Sequence, residues 1–122
     1  MTTLDHVGIY VKDLKRSLRF YSDILGFTEH HSFSKGESKI AVLDLNGGLL
    51  ELIQRPDAPA EAPRGRWSHV AFHVDDFDDL VSRLEERGLE LRKVTLDDGS
   101  RLAFFKDPDG HDIEIMEKGM SQ

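Results

Sequence analysis

The chain contains no cysteine, which excludes a disulfide framework, a thiolate metal site and a cysteine nucleophile. It also lacks any apolar run near the roughly 18 residues that a membrane-spanning helix requires. Its first residues, MTTLDHVGIYV, do not follow the basic-then-apolar plan of a signal peptide. These absences predict a cytoplasmic protein without a membrane partner.

A basic excess is missing as well. The net charge is −7 and no basic cluster is present, which argues against nucleic acid or an anionic membrane as a partner. With 122 residues, 39% of them hydrophobic and 32% charged, the chain is large enough for one domain with its own core. We therefore expect a single globular domain, residues 1–122, whose partner is a small molecule.

Two stretches of the sequence, DHVGIYVKDL and SHVAFHVDDF, share one pattern of histidine, valine, small and apolar residues. The same offset of 63 residues relates three pairs: His6 and His69, Gly47 and Gly110, Glu51 and Glu114. A shared offset at both ends of a unit indicates an internal repeat.

Each repeat is predicted to be a βαβββ module, one over about 1–54 and the other over about 67–118. Asp13 and Asp76 are candidate helix N-caps, and Gly26 and Gly88 are expected to follow the helix ends. Residues 55–66 hold three of the four prolines and are predicted to be a linker. The strands are expected near 4–11, 27–34, 39–45, 48–54, 89–96, 101–106 and 112–117, with another at 69–74. The fold class is thus α+β.

Alternation along the strands separates an apolar face from a polar one. His6 shares a face with Gly8 and Tyr10, and His69 shares a face with Ala71 and His73. Glu51 and Glu114 are likewise placed away from the side that the helices should cover. A two-fold arrangement of the modules would bring both histidines and both glutamates together.

Such a set suits a divalent metal. Two carboxylates facing one cavity repel each other, and a divalent cation offsets both charges. His6, Glu51, His69 and Glu114 are therefore predicted metal ligands, with Ni, Co, Zn, Mn and Fe left open because imidazole and carboxylate accept all of them. Tyr10 and His73 occupy equivalent points of the repeat and are candidates for substrate contact, as is Arg55, which follows Glu51 on the same face.

The sequence resembles the vicinal oxygen chelate superfamily, which includes glyoxalase I, methylmalonyl-CoA epimerase, extradiol dioxygenases and fosfomycin- and bleomycin-resistance proteins. The resemblance rests on three stretches: DHVGIYVKDLKRSLRFYSDILGF, SHVAFHVDDFDDLVSRLEERG and FFKDPDGHDIEIME. It implies paired βαβββ modules that form a cup around a metal, and it implies a homodimer. Whether each site forms within one chain or across two is left open.

The four ligands together are most similar to those of glyoxalase I. This resemblance implies isomerisation of a hemithioacetal, or a related carbonyl compound, through an enediolate, with glutathione as a candidate co-substrate. Glu51 or Glu114 would act as the base. Glutathione-using members commonly carry arginine where this chain has Tyr10 and asparagine where it has Arg55. An extradiol-type dioxygenase and a non-catalytic protein that binds a small molecule, such as an antibiotic, are the alternatives.

Overall fold

A computed structural model describes residues 5–57 and 69–119. The chain divides into two compact units, Met1–Pro63 and Arg64–Gln122. Most of the predicted linker, from residue 58 onward, lies outside the described residues. The two units have the same order of elements, so the α+β class with two βαβββ modules is confirmed.

The first unit contains strand β1, helix α1 and strands β2, β3 and β4. Their bounds are Val7–Tyr10, Leu14–Arg19, Thr28–Lys35, Ser38–Asp44 and Leu49–Gln54. The strands form one sheet in the order β1-β4-β3-β2. Strand β1 runs parallel to β4, while β3 is antiparallel to both β2 and β4. The parallel pair sets the start of the module beside its end, and this pairing positions the site.

The second unit repeats this plan with strand β5, helix α2 and strands β6, β7 and β8. Their bounds are Val70–His73, Phe77–Glu86, Arg92–Thr95, Arg101–Lys106 and Asp112–Met116. The sheet order is β5-β8-β7-β6, with β5 parallel to β8. Equivalent pairings therefore hold in both units.

One face of each closing strand is buried in the core. Leu50 and Leu52 are 1% and 0% exposed, and Ile113 and Ile115 are fully buried. Burying a side chain of this size contributes about 1.5–3 kcal/mol. Glu51 lies between the two leucines and projects to the opposite face, as the alternation of the strand requires.

Both helices begin as predicted. The Asp13 carboxylate accepts the backbone N–H of Arg16, and the Asp76 carboxylate accepts that of Asp79. These bonds satisfy N–H groups that a helix start leaves without an intrahelical partner. Gly26 and Gly88 follow the helix ends with φ of 76° and 80°.

Two details differ from the expectation. The first helix was expected to remain α-helical up to Gly26, but it changes at Phe20 into a π-helical turn over Phe20–Ile24. This turn buries three large side chains, those of Phe20, Tyr21 and Ile24. Val7 was expected beneath the helix, yet it is 40% exposed, because it begins the edge strand β1, where few neighbours cover it.

None of the helices in the described parts of the chain is both long and apolar enough to cross a bilayer.

Candidate metal centre

The first unit brings His6 and Glu51 together. Gly8 is paired in register with Glu51 across the parallel strands, and His6 lies just before β1. The His6 Nε2 atom is 3.9 Å from Glu51 Oε1. Both side chains are partly accessible, with 44% and 22% of their surface exposed.

The second unit brings His69 and Glu114 together in the same way. Ala71 is in register with Glu114, and the His69 Nε2 atom is 3.4 Å from Glu114 Oε1. Glu114 is more enclosed than Glu51, with only 9% of its side chain exposed. The sequence predicted one set of four ligands, and the structure brings two of them close together within each unit.

The spacing within each pair fits a shared cation. Two donor atoms bound to one ion at about 2.0–2.2 Å can be no more than about 4.4 Å apart. A good N–H···O hydrogen bond, by contrast, brings its atoms within about 3.2 Å. Distances of 3.9 and 3.4 Å lie between these limits. Each pair can therefore offer one imidazole nitrogen and one carboxylate oxygen to a divalent metal.

Asp5 orients the His6 ring. Its carboxylate lies 2.7 Å from His6 Nδ1, which leaves Nε2 directed at Glu51. The hydrogen bond to Asp5 is the main cause that raises the pKa of His6 above its usual value. A carboxylate on the second ring nitrogen is a common support for a metal-binding histidine. Sequence reasoning missed Asp5, although its position directly before His6 was the available signal.

Tyr10 and Arg55 lie together in a cavity of about 600 Å³ in the first unit. The guanidinium carbon of Arg55 is 5.7 Å from the Tyr10 ring centre. The same guanidinium donates to both carboxylate oxygens of Asp57 at 3.0 and 2.8 Å. These bonds hold the pKa of Asp57 below its usual value. The charge of Arg55 is thus already matched by a carboxylate.

His73, the third predicted substrate contact, is exposed at the end of β5. A Cβ added to Gly119 would lie 3.7 Å from its Nδ1 atom, so the chain beyond β8 passes close to this ring. The structure places His73 on the same strand as Ala71 and on the same side as His69, as the alternation predicts.

A cavity of about 460 Å³ adjoins His69 in the second unit. His69 is the lining residue that sequence reasoning selected, and three of those it missed bear on the chemistry of the cavity. They are Arg92, Phe104 and Lys106. Phe104 is in register with both Glu114 and Arg92, so these side chains share one face of the sheet. Alternation along RLAFFK, which separates Phe104 and Lys106 from the buried Ala103 and Phe105, was the signal for these two residues. Arg92 joins them only through the pairing of β6 with β7.

Another group of potential ligands, Asp107, Asp109 and His111, lies in the turn between β7 and β8. The buried Asp107 carboxylate accepts the backbone N–H groups of Asp109 and His111 at 2.9 and 2.8 Å. It also lies 2.8 Å from His111 Nδ1. These hydrogen bonds stabilise the turn, and this explains why the three side chains lie close together.

Comparison with known proteins identifies the family. The model of the Glyoxalase/Bleomycin resistance protein/Dioxygenase superfamily matches residues 3–115, and the chain belongs to this superfamily.

Three relatives illustrate the range of its members. The chain is 35% identical to the uncharacterized protein YaeR of Escherichia coli, with 93% of this chain and 94% of YaeR aligned. It is 32% identical to the glutathione transferase FosA of Serratia marcescens, over 94% of this chain and 80% of FosA. It is 28% identical to the lactoylglutathione lyase of Schizosaccharomyces pombe, over 93% of this chain and 46% of that enzyme.

The fold is also similar to solved structures. A glyoxalase family protein from Enterococcus faecalis aligns with a TM-score of 0.81 and 27% identity, covering 95% of this chain and 98% of that protein. The alignment extends over both units.

Proposed function

We propose that the protein is a divalent-metal-dependent, glyoxalase I-like isomerase or lyase that acts on a hemithioacetal or a related carbonyl compound through an enediolate. The observation that carries this proposal is the occurrence of a histidine–glutamate pair with a cation-sized spacing in each unit. In the proposed site His6, Glu51, His69 and Glu114 bind one metal ion, either within one chain or across a homodimer. The cytoplasm remains the expected location.

The chemistry divides between the metal and the glutamates. The bound metal would supply Lewis acidity, which polarises the substrate carbonyl and acidifies the adjacent carbon. A glutamate carboxylate takes the proton from that carbon and returns it to the neighbouring carbon. Either Glu51 or Glu114 can serve, because each holds a carboxylate oxygen beside a histidine. The partial enclosure of Glu114 limits the access of water to the transferred proton.

A second candidate is thiol transfer, which the FosA relative favours through its 32% identity over most of both chains. Glutathione is then a co-substrate in either function. The presence of a glutamate beside each histidine supports the isomerase, because one carboxylate can act as the base while the other would still hold the metal. The third possibility is a dioxygenase of the same fold, and the fourth is a protein that sequesters its ligand.

The test is metal analysis of the purified protein joined to a hemithioacetal isomerisation assay with Ni, Co, Zn, Mn or Fe added back. We expect activity under anaerobic conditions that chelation removes and at least one metal restores. Fosfomycin with glutathione is assayed in parallel. Turnover of fosfomycin but not of the hemithioacetal would favour thiol transfer, and oxygen consumption would favour the dioxygenase. Ligand binding without turnover would favour the protein that sequesters its ligand.

Glu114→Gln provides the matched variant. It removes a carboxylate oxygen and a proton acceptor without changing the size of the side chain, so we expect at least a hundredfold loss of kcat, an order of magnitude typical for acid–base catalysis. Glu86→Gln, an exposed change on α2, is the control and should retain full activity. Wild-type turnover by folded Glu114→Gln protein would remove Glu114 from the mechanism.

A further inference from the structure

The cavity beside His69 contains an arginine, Arg92, that stacks on an aromatic ring of the same sheet. The Arg92 guanidinium carbon lies 4.4 Å from the centre of the Phe104 ring. Among the described residues, this stacking is the interaction that the structure gives to the Arg92 side chain, and no carboxylate there forms an ion pair with it. Arg55 differs, since it donates Nε and Nη2 to the two carboxylate oxygens of Asp57.

The ring under Arg92 also contacts a proposed metal ligand. The Phe104 and His69 rings meet edge to face with their centres 5.8 Å apart. The guanidinium carbon of Arg92 is therefore no more than about 10 Å from the centre of the His69 ring, as the two distances together require. Phe104 thus fixes a cation within the reach of a small molecule bound at His69.

The other charged groups of the cavity leave Arg92 as the available cation. Lys106 forms an ion pair with Asp112, and Glu90 also lines the cavity. The four charges balance, so the site has no general attraction for anions. Recognition would depend on the planar guanidinium, which binds both oxygens of a carboxylate or phosphonate at once.

We propose that Arg92 is a specificity-determining residue that binds an anionic group of the substrate, a carboxylate or a phosphonate, while the reacting end of the same molecule lies beside His69 and Glu114. The inference rests on the proposed function for the reacting end, but the anion contact itself does not require a metal. The substrate class is accordingly a carbonyl compound or its thiol adduct that carries an oxyanion a few bonds from the reacting carbon.

The probe is the monohydroxamate of succinic acid, compared with its neutral primary amide. A hydroxamate presents two adjacent oxygens to a metal, and ordinary bond lengths give about 5–6 Å between the oxygens at the two ends of this molecule. The acid and the amide have nearly the same shape, so the ratio of their dissociation constants reports the charge. Calorimetry on the zinc-loaded protein measures both constants.

We expect wild-type protein to bind the acid about tenfold more tightly than the amide, a ratio in the range of one charge-assisted hydrogen bond. Arg92→Gln should reduce this ratio to about one, and Arg92→Lys should give an intermediate value because it keeps the charge but not the fork. Arg87→Gln, a change of an exposed arginine in the same unit, is the matched control and should keep the wild-type ratio. An unchanged ratio in folded Arg92→Gln would overturn the proposal.

A measurement without metal separates the two proposals. In metal-free protein the Nε–H signal of Arg92, followed by ¹⁵N NMR, should shift on titration with the acid and not with the amide. If zinc increases the affinity of neither hydroxamate, the proposed metal centre is contradicted and the proposed anion contact at Arg92 is not. Absence of a selective shift of the Arg92 signal would count against the anion contact, whatever the metal result.

The source of the anion is distinguished by substrate pairs. Methylglyoxal is offered as the adduct of glutathione and as the adduct of 2-mercaptoethanol, which has no carboxylate. If the thiol supplies the anion, Arg92→Gln should raise KM for the first adduct and leave the second unchanged. If the carbonyl compound supplies it, a keto aldehyde bearing its own carboxylate should be the better substrate with the neutral thiol, and Arg92→Gln should remove that advantage.

Discussion

Gly8 leaves space beside the Glu51 carboxylate. A Cβ at this position would come 3.2 Å from Glu51 Oε1, closer than most real Cβ contacts. Ala71 occupies the equivalent place beside Glu114, so the two units provide different amounts of room around their glutamates. The first unit therefore has more room beside its glutamate, because Gly8 lacks the methyl group that Ala71 carries.

Gly8→Ala is therefore expected to weaken metal binding while leaving the fold intact. The added methyl displaces the end of a flexible side chain rather than backbone, so the melting temperature should change little. The carboxylate would move relative to His6, and we expect the metal dissociation constant to rise about tenfold or more, comparable to the loss of a supporting contact at a metal site. Competition with a chromogenic chelator measures the constant.

Ala71→Gly serves as the control for that substitution. It removes a methyl group at the equivalent point and pushes on no ligand, so its metal affinity should stay close to that of the wild type. Equal affinity for zinc in Gly8→Ala and wild type would contradict a role of Glu51 as a ligand.

At the scale of elements, Arg101 connects helix α2 to the end of the second sheet. Its guanidinium donates to both oxygens of Asp78 at 2.8 and 3.2 Å, and it also pairs with Glu117. Its guanidinium carbon lies 5.0 Å from the centre of the Phe77 ring. The bonds from Arg101 lower the pKa of Asp78 and of Glu117. One side chain thus joins the first turn of α2 to the residues after β8.

Arg101→Gln should lower the melting temperature at pH 7 by a few degrees, as expected for an exposed network. Because the folded-state pKa values of Asp78 and Glu117 are depressed, their contribution is complete above the unfolded values of 3.8 and 4.5. It is lost as the pH falls through the lower folded-state values. The difference between variant and wild type should therefore shrink below about pH 4.5.

Calorimetric scans from pH 7 to pH 3 check this expectation, with Arg87→Gln as the variant that breaks no such connection. A constant difference across the whole range would mean that Arg101 acts by packing on Phe77 rather than by charge.

At the scale of the whole molecule, the proposal requires that the two histidine–glutamate pairs serve one metal ion. We expect one metal per chain in the wild type. His6→Ala and His69→Ala should each weaken the binding of that single ion, because each variant removes one of its four proposed ligands, and neither should leave a second ion bound at wild-type affinity. Equilibrium dialysis with metal analysis counts the bound ions.

The opposite result is also informative. Two metal ions per chain in the wild type, with one retained in each single variant, would mean that the units bind independently. Sedimentation equilibrium on the same samples tests the expected homodimer and shows whether metal changes the association.

The repeat made much of the fold predictable from the sequence. The 63-residue offset and the alternation in LLELIQ and DIEIM identified which side chains share a face, and the parallel pairing of β1 with β4 then brought His6 near Glu51. The π-helical turn was not predictable, since Leu14, Leu18, Tyr21 and Leu25 fit an ordinary helix. The turn buries Phe20, Tyr21 and Ile24, and such tertiary packing is not encoded in the local pattern.

The residues of the cavity beside His69 were not predictable for a similar reason. Arg92 and Phe104 are separated by a dozen residues, and they meet because antiparallel pairing sets β6 beside β7. The ion pair between Arg55 and Asp57 is local in sequence, with one proline between them. The sequence pattern did not indicate the turn that brings their side chains together. Arg55 was predicted from its position on the same strand face as Glu51 and stays a prediction, whereas Arg92 became a candidate only through the pairing of β6 with β7.

Strand β2 has a consequence for the handling of the protein. It lies at the end of its sheet, and all eight of its residues are exposed. A strand at the end of a sheet offers backbone groups on which another chain can extend the sheet, and the excess negative charges of each copy, −7 in net charge, oppose that association. Concentrated stocks should accordingly keep longest in low salt, where those charges are least screened.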